Sequence, residues 1–417
     1  MKEIKDKQQN KNQNLPKGWK KVKLGEIIEN IEVGGRPKGG TLGILEGIPS
    51  IGAEHLSQDG DFDFSSIKYV PRDYFLNAKN GKIKENDILC VKDGATIGKV
   101  SRVTKNFPYK QAMINEHVFI VRANDRKLDQ TFLYYKLRTE EGHSYIINNI
   151  GGSAQGGLKK DFLDYWEILI PKDINTQKRI ASILSAFDDK IELNNKINQT
   201  LEEMAQAIFK EWFTKNQKAK IKKQKLSELV EIISGYPFSS KLYTRNKKAL
   251  GVITIKNVQD GNFIPVCNSF IGKESIPKNM NPECRIKNGD ILLSLTGNVG
   301  RVCFVYGEEY LLNQRVAKLK PKRENDRAFC YFLFRQPTLQ NQLINMAKGS
   351  AQPNLSPVET GEIVLDIPLR EVLDELNEIL NQIYNRLVRN ALENQKLAEL
   401  RDLLLPKLMS EEVIVNN

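Results

Sequence analysis

Two stretches of the chain decide the fold: residues 177–212 read QKRIASILSAFDDKIELNNKINQTLEEMAQAIFKEW, and residues 373–408 read LDELNEILNQIYNRLVRNALENQKLAELRDLLLPKL. In each stretch, seam residues recur alternately four and three positions apart, which is the a/d spacing of a coiled coil. The seam positions of the first stretch are Ile180, Leu184, Phe187, Ile191, Asn194, Asn198, Leu201, Ala205, Ile208 and Trp212. Their counterparts, each 196 residues later, are Leu376, Leu380, Ile383, Leu387, Asn390, Asn394, Leu397, Arg401, Leu404 and Leu408. The sequence therefore predicts two long helices with the same seam.

Both seams contain two asparagines at equivalent places, Asn194 and Asn198 in the first and Asn390 and Asn394 in the second. A seam amide is unfavourable unless it finds a hydrogen-bonding partner, so it usually fixes register or orientation. In an antiparallel pair of full length, Asn194 meets Asn394 and Asn198 meets Asn390. A parallel pair would also match asparagine with asparagine, and helices packed only on their own globules remain an alternative. We favour the antiparallel pair, with these four residues setting its register.

The repeat covers the rest of the chain, in the same order and with offsets of 196 to 204 residues. The matching segments are Lys21–Ile28 with Lys223–Val230, Ile83–Leu89 with Ile286–Leu292, Gly152–Gln155 with Gly349–Gln352, and Ile170–Pro171 with Ile367–Pro368. Chance similarity would not keep this order. The chain is therefore predicted to contain the same unit twice.

Each copy starts with short apolar segments broken by Gly, Pro, Asn and Asp, which is typical of strands and turns with a few helices. We predict an α+β fold in which two α/β globules are separated by two long helices that form an antiparallel coiled coil, with an internal pseudo-two-fold repeat. The predicted bounds are a disordered lead-in over 1–14, a first globule over 15–172, a first long helix over 173–220, a second globule over 221–369 and a second long helix over 370–417.

The net charge of +12 suggests a polyanionic partner, because neutralising phosphates releases condensed counterions. Plain solubility or a lysine-rich codon bias would give the same charge, so charge alone leaves nucleic-acid binding open. The apolar runs are too short to cross a bilayer, and the Lys-, Gln- and Asn-rich start has no signal-peptide core. We expect a cytoplasmic protein that makes no membrane contact.

No catalytic or metal-binding motif can be argued from the residues. Gly94–Lys99 is one residue too short between its glycines for a P-loop, so a glycine-containing turn after a strand is the better interpretation. Asp188–Lys190 resembles part of a nuclease cluster but lies beside the helix seam, which favours a solvated helix face. The five cysteines form no Cys-x-x-Cys pair, so we predict no metal site and mostly structural, reduced thiols.

These features together resemble the specificity subunit of type I restriction-modification enzymes. The residues that carry the resemblance are Leu15–Trp19 with Val22 and Leu24–Gly25, the doubled Asp-Ile-Leu segment, Gly349–Leu355 and Gln177–Ala181. The second globule departs from the family pattern because it lacks the Pro-x-Gly-Trp opening. The first copy departs by reading Gln155-Gly156-Gly157-Leu158 where the second has Gln352-Pro353-Asn354-Leu355.

The resemblance implies a non-catalytic chain whose globules are target-recognition domains, each reading one half of a bipartite, asymmetric site in double-stranded DNA. It implies that the helices set the spacer and dock two methyltransferase (modification) subunits, and that a restriction/translocase subunit joins them. No cofactor is expected on this chain. S-adenosylmethionine, ATP and magnesium are expected on the partner subunits.

Candidate DNA-contacting residues lie in three doubled segments, because base edges are read by Arg, Lys, Asn, Gln, Ser and Thr, and phosphates by Lys, Arg and backbone amides. The first-copy candidates are Lys92, Thr96, Lys99, Arg102, Asn115, Gln155, Lys159 and Lys160. The second-copy candidates are Ser294, Thr296, Asn298, Arg301, Asn313, Gln314, Arg315, Gln352 and Asn354. For each of them a capped turn or a solvated surface is an equal alternative. Unshared residues such as His55 or Tyr236 could read DNA instead, and the lysine-rich run 215–225 is interpreted as a linker rather than a phosphate-binding strap.

Two other functions remain open. The chain could be a coiled-coil scaffold whose globules bind proteins, in which case random-sequence DNA should not be retained in a salt-dependent way. It could also be the recognition subunit of a related system in which one partner both cuts and methylates.

Overall fold

The computed structural model describes residues 16–151, 156–215, 221–347 and 353–410. The predicted lead-in over 1–14 and the doubled segments Gly152–Gln155 and Gly349–Gln352 lie outside these residues. The chain divides into two compact units, the first formed by Met1–Asp189 with Ala398–Asn417 and the second by Lys190–Leu397. Each unit therefore contains one globule and part of both long helices. The predicted fold class is confirmed.

The first unit begins with a strand that pairs with the end of its own globule. Its elements are β1 (Trp19–Lys23), β2 (Ile28–Val33), β3 (Ile48–Ile51), β4 (Lys68–Val70), α1 (Arg72–Asn77), β5 (Ile88–Val91), β6 (Val100–Arg102), β7 (Met113–Ile114), β8 (Val118–Ala123), α2 (Gln130–Arg138), α3 (Glu140–Asn148), β9 (Glu167–Pro171) and α4 (Ile174–Lys215), whose residues from Lys190 on belong to the second unit. β1 pairs antiparallel with β9, so Trp19 lies opposite Pro171. The main sheet has the order β2-β8-β5-β6, and a smaller sheet has the order β4-β3-β7, in which β3 and β7 are parallel.

The second unit repeats this topology. Its elements are β10 (Ile221–Lys225), α5 (Leu226–Leu229), β11 (Val230–Ser234), β12 (Leu250–Ile253), β13 (Val258–Gln259), β14 (Asn262–Phe263), β15 (Phe270–Ile271), β16 (Arg285–Ile286), β17 (Ile291–Ser294), β18 (Val302–Phe304), β19 (Tyr310–Leu312), β20 (Val316–Pro321), α6 (Arg327–Phe334), α7 (Pro337–Ala347), α8 (Pro357–Gly361), β21 (Val364–Pro368) and α9 (Arg370–Met409), whose residues from Ala398 on belong to the first unit. β10 pairs antiparallel with β21. The main sheet has the order β11-β20-β17-β18, and β12 lies parallel to β19 as β3 does to β7.

The doubled Asp-Ile-Leu segment forms the start of a buried central strand in both units. Asp87 precedes β5 and Asp290 precedes β17, and both carboxylates are buried. Each accepts a hydrogen bond from the backbone N–H three residues earlier and pairs with a cation, Arg122 at 2.6 Å and Lys318 at 2.9 Å. A buried carboxylate needs such partners, since an unpaired charge is strongly destabilising there. The repeated motif therefore serves the fold.

The two long helices pack antiparallel in both units. In the first unit, Ile180 and Leu184 from the start of α4 share a core with Leu405 and Leu408 from the end of α9. In the second unit, Ala205 and Phe209 from the second half of α4 share a core with residues of the first half of α9, including Leu376, Leu380 and Leu387. The start of α4 thus packs against the end of α9 in the first unit, and the second half of α4 packs against the first half of α9 in the second unit. This antiparallel packing is what the shared seam predicts.

The four seam asparagines lie in the second unit and pair as the antiparallel register requires. Asn194 Nδ2 donates to Asn394 Oδ1 at 2.8 Å, and Asn390 Nδ2 donates to Asn198 Oδ1 at 2.7 Å. Asn194 and Asn390 are almost fully buried. Asn194 Nδ2 also reaches Glu393 Oε2 at 2.9 Å. These bonds give the buried amide nitrogens of Asn194 and Asn390 partners that an apolar seam could not, while Asn194 Oδ1 has no partner among the described residues.

The interpretation of Asp188 as part of a solvated helix face is wrong. Arg401 occupies a seam position on α9, and its buried Nη1 donates to Asp188 Oδ1 at 2.5 Å. The hydroxyl of Tyr135 on α2 donates to Asp188 Oδ2, also at 2.5 Å. Asp188 therefore joins both helices to the first globule, because a buried guanidinium needs an anionic partner within hydrogen-bonding distance.

The interpretation of the run 215–225 as a linker is corrected for its last part. Residues 221–225 form β10, which pairs over its whole length with β21. Lys225 also forms an ion pair with Glu362 at 2.5 Å. Residues 216–220 lie outside the described part of the chain. The polar composition of β10 reflects an edge strand whose side chains are mostly exposed.

The cysteines agree with the prediction of mostly structural, reduced thiols. All five cysteines are free, and four of them are buried. Burial raises the pKa of the Cys90 thiol to about 12 and raises that of Cys303 further, which favours the protonated, unreactive form. Within the described ranges, no helix is long and apolar enough to cross a membrane.

Candidate nucleic-acid interface

Three of the doubled segments meet at one edge of the first unit. β5 ends at Val91, and the chain then bends through Gly94 and Gly98, both of which have positive φ. Lys92 N–H donates to the carbonyl of His117 at 2.9 Å, and Leu158 N–H donates to the carbonyl of Lys92 at 2.8 Å. We call the residues brought together in this way, 92–99, 115–117 and 157–160, the first edge. The predicted glycine-containing turn after the strand is confirmed.

The second unit builds the same frame from the equivalent segments. Leu295 N–H donates to the carbonyl of Arg315 at 3.0 Å, and Leu355 N–H donates to the carbonyl of Leu295 at 2.8 Å. Thr296 forms a bridge with Asn354, just as Asp93 does with Gly157. Residues 294–301, 313–315 and 354–355 form the second edge. The sequence repeat thus corresponds to a repeated set of backbone hydrogen bonds.

Two of the predicted residues, Asn115 and Asn313, cap turns within these frames. The side-chain oxygen of Asn115 accepts from His117 N–H at 2.9 Å, and that of Asn313 accepts from Arg315 N–H at 3.3 Å. Their backbone N–H groups donate to Ile51 and Ile253 at 2.9 and 3.0 Å. Both side chains are half-buried. These contacts favour the capped-turn alternative, because asparagine side chains commonly bond the backbone two residues on.

Four further predicted residues are engaged by the fold. Ser294 is buried, so the prediction that it contacts DNA is corrected: its hydroxyl accepts from Arg301 N–H at 3.0 Å and donates to the carbonyl of Asn298. Lys99 Nζ donates to the carbonyl of Leu56 at 3.0 Å. Arg102 and Arg301 bind other side chains of their own units.

The two arginines bind through their guanidinium groups. Arg102 Nη1 donates to Thr131 Oγ1 at 3.1 Å, and the guanidinium lies 5.6 Å from the centre of the Tyr134 ring. Arg301 Nη1 donates to Gln259 Oε1. When the Asn298 amide oxygen faces Arg301, it accepts from both terminal guanidinium nitrogens at 3.2 Å. Arg102 therefore connects β6 to α2, and Arg301 connects the bend after β17 to β13.

Five predicted residues are exposed and make no side-chain hydrogen bond or ion pair within the described ranges, namely Lys159, Lys160, Gln314, Arg315 and Asn354. Lys92 and Thr96 are half-buried, and Lys92 Nζ lies 3.5 Å from Asp93. Thr296 has a buried hydroxyl without a hydrogen-bonding partner among the described residues. Gln155 and Gln352 lie outside those residues. The exposed five are the side chains free to contact a ligand.

Two residues of the first edge escaped the sequence analysis. His117 Nδ1 lies 2.6 Å from Asp93 Oδ1, and the His117 side chain is half exposed. The offset that aligns Asn115 with Asn313 also aligns His117 with Arg315, so the repeat itself could have indicated His117.

The two unshared candidates, His55 and Tyr236, have different outcomes. His55 is fully buried and accepts a hydrogen bond from Gly52 N–H, so it serves the fold and the suggestion that it reads DNA is corrected. Tyr236 is half-buried beside Phe238 and donates to Asn279 Oδ1 at 2.9 Å.

Neither edge resembles a metal centre. Over the described ranges, no group of three or more His, Cys, Asp or Glu residues is placed to hold a metal ion. The edges instead combine backbone frames with exposed lysine, arginine and amide side chains, which are groups suited to contact phosphates and base edges.

Comparison with known proteins finds relatives that match nearly the whole chain. The chain is 25% identical to the type I restriction enzyme MjaVIII specificity subunit of Methanocaldococcus jannaschii, over 97% of this chain and 95% of that protein. It is 24% identical to the HindI specificity subunit of Haemophilus influenzae, over 84% and 90%. The crystal structure of a type I restriction-modification system S subunit from M. genitalium has a similar fold, with a TM-score of 0.59, 18% identity, and coverage of 95% of this chain and 97% of that one.

The family model described as the type I restriction modification DNA specificity domain matches twice, over residues 16–203 and 218–402. The two matches correspond to the two copies of the repeat, and together they span most of the chain. The chain therefore belongs to the type I restriction-modification DNA specificity family.

Proposed function

We propose that this chain is the DNA-reading subunit of a type I restriction-modification system, in which each globule reads one half of a bipartite, asymmetric target. The observation that carries the proposal is the repeated edge: one backbone frame occurs twice and presents different side chains. A reader of two unlike half-sites needs this combination, because the frame positions the side chains while the side chains select the bases.

The finer parts of the proposal concern the partners. The long helices set the spacer between the half-sites and dock two methyltransferase subunits, and a restriction/translocase subunit completes the system. S-adenosylmethionine, ATP and magnesium act on those partners, so the isolated chain should bind these cofactors no better than background and transfer no methyl group. Methyl transfer by chain purified free of partners would contradict this proposal.

Methylome sequencing of the host with and without the gene tests the function. The expected result is one bipartite motif that loses methylation when the gene is deleted. Filter binding of the purified chain to random-sequence duplex DNA separates the alternatives, because a protein-binding scaffold should show no salt-dependent retention. The neighbouring genes decide between the two restriction systems. If the motif loses methylation on deletion but no separate methyltransferase and restriction genes lie beside this gene, the combined cleavage and methylation system is favoured.

A further inference from the structure

A loop of the first unit holds two leucines out in solvent. Residues 34–47 connect β2 to β3, and within them Leu42 is 98% exposed and Leu45 is 89% exposed. They are the most exposed large apolar side chains in the described part of the chain. Exposed apolar area is unfavourable in water, so two almost fully exposed leucines three residues apart are a candidate for a surface that a ligand covers.

The loop is fixed at its base and lies against the first edge. A side chain at Gly34 would collide with the carbonyl of Asn115, so glycine is what allows the backbone to approach so closely. Arg36 Nη1 lies 3.7 Å from Glu116 Oε1. Pro37 is buried and its carbonyl accepts from Gly40 N–H at 2.9 Å in a tight turn. The base is therefore part of the candidate interface, while the tip projects from it.

The tip itself is ordered by a second turn. Ile44 N–H donates to the carbonyl of Thr41 at 3.3 Å, and Ile44 is half-buried while Leu42 and Leu45 on either side are not. Both leucine side chains are therefore exposed on this one short turn. An apolar pair on a short turn is small compared with the patches that bind proteins, which cover several hundred Å². Its size is that of a wedge rather than of a docking face.

The charges around the wedge favour a nucleic acid as the ligand. Arg36, which faces Glu116, and Lys38 precede the tip and are exposed, and the exposed Glu46 follows it. Lys159 and Lys160 are exposed on the adjoining edge, so the cations outnumber the carboxylates. Duplex DNA presents anionic phosphates beside apolar base faces and thymine methyl groups. Apolar side chains beside an excess of cations match that pattern, and such side chains enter base steps in several DNA-bending proteins.

We propose that the loop inserts Leu42 and Leu45 into a groove of duplex DNA at the first unit's half-site and partly unstacks one base step there. The proposal rests on the proposed function, since it assigns one contact within the same interface. The second unit has no such wedge: its equivalent loop between β11 and β12 exposes Lys241, Arg245, Lys247 and Lys248 and no large apolar side chain.

The test uses the full-length chain and a duplex that carries the methylated motif, with 2-aminopurine placed at successive steps of each half-site. The wild-type chain should raise the fluorescence at one step of the first half-site only, because unstacking relieves quenching. The L42A/L45A variant should lose this signal and bind about ten-fold more weakly, with an unchanged dependence of affinity on salt because no phosphate contact is removed. L42M/L45M should retain the signal, since it keeps the apolar bulk.

A matched control is available within the same unit. Leu400 and Leu403 on α9 are also three residues apart and are 48% and 58% exposed, so L400A/L403A should bind the duplex as the wild type does. If L42A/L45A gives the wild-type affinity and signal while specific binding persists, the wedge is refuted and the function stands. If L42A/L45A instead loses only its binding to a methyltransferase subunit, the wedge is likewise refuted. If the wild-type chain binds no duplex specifically, the proposed function fails.

Discussion

The two edges have the same backbone frame and different side chains. In both, a bend after the central strand is hydrogen-bonded to a capped turn and to the segment that precedes the last strand. At equivalent positions the first edge has Asp93 and His117, which contact each other, whereas the second has Thr296 and Arg315. The frame is kept because backbone groups need partners wherever they are buried. The exposed side chains carry no such demand and can differ between the units.

The attachments of the helices to the globules differ as well. In the first unit, Tyr135 binds Asp188 of α4, and Asp188 also holds Arg401 of α9. In the second unit, the equivalent Tyr331 binds Glu202 of α4, but its neighbour on α9 is Tyr384, whose ring centroid lies 5.1 Å away. Beside this tyrosine, a charge therefore holds α9 in the first unit and an aromatic ring does so in the second, where Arg370 near the start of α9 separately pairs with Asp326 at 2.7 Å. The first attachment should be the more sensitive to the loss of one partner.

Replacing one globule should have the largest effect. If residues 221–369 are exchanged for the equivalent part of a relative, we expect methylome sequencing to find one half of the motif changed completely and the other unchanged. The reason is that each edge is built within its own unit. The reciprocal exchange of residues 15–172 should change the other half. A change in both halves from a single exchange would show that the edges do not read independently.

Breaking the charged attachment should destabilise the first unit. In Arg401→Ala, Asp188 loses the cation that it faces, and we expect the free energy of unfolding to fall by about 2–3 kcal/mol, at the low end for buried pairs because Asp188 remains 24% exposed. A Trp212→Phe background leaves only Trp19 and Trp166, both in the first unit. Tryptophan fluorescence during urea denaturation then follows that unit alone.

Two controls sharpen this measurement. Asp188→Leu with Arg401→Leu should recover part of the loss, because no charge then remains buried without a partner. Tyr384→Phe removes one hydrogen bond to the carbonyl of Gly289 in the second unit and should leave the tryptophan transition in place. If Arg401→Ala lowers the free energy of unfolding by less than about 1 kcal/mol, the charged attachment is not as sensitive to the loss of one partner as we infer.

Replacing the seam amides should make the register of the helix pair less unique, with little effect on stability. We expect a variant with Leu at Asn194, Asn198, Asn390 and Asn394 to be as stable as the wild type or more so by about 1–2 kcal/mol, because leucine is buried at less cost than an amide. A slide by one heptad then becomes tolerable and moves one helix along the other by about 10 Å, at 1.5 Å per residue. That distance equals about three base pairs at roughly 3.4 Å each.

The measurement is methylation of substrates that differ only in spacer length. The quadruple variant should accept more spacer lengths than the wild type. Asn385→Leu, on an exposed face of α9, serves as the control and should leave the preference unchanged. A quadruple variant that folds and keeps the wild-type preference would show that these amides do not set the spacer.

The helices could be predicted from the sequence more completely than the edges. A heptad seam is a local pattern, so its period gave both the helices and the pairing of Asn194 with Asn394. The role of the edge residues depends on distant contacts that no local pattern contains. Lys99 bonds the carbonyl of Leu56, 43 residues earlier, and β10 is a strand because it pairs with β21. Leucines are usually buried, so the sequence does not predict that Leu42 and Leu45 are exposed, and only the structure shows it.

Removing two exposed lysines of the first edge should have the smallest effect. Lys159 and Lys160 carry no ion pair within the described ranges, so their alanine variants should leave stability unchanged. If both contact phosphates, Lys159→Ala with Lys160→Ala should lower the slope of log affinity against log salt by about 2, at roughly 0.9 per contact, and weaken binding to all sequences alike. The methylated motif should stay the same. Lys172→Ala with Lys178→Ala, two exposed lysines of the same unit, is the matched control, and an equal loss of slope there would assign the effect to net charge rather than to the edge.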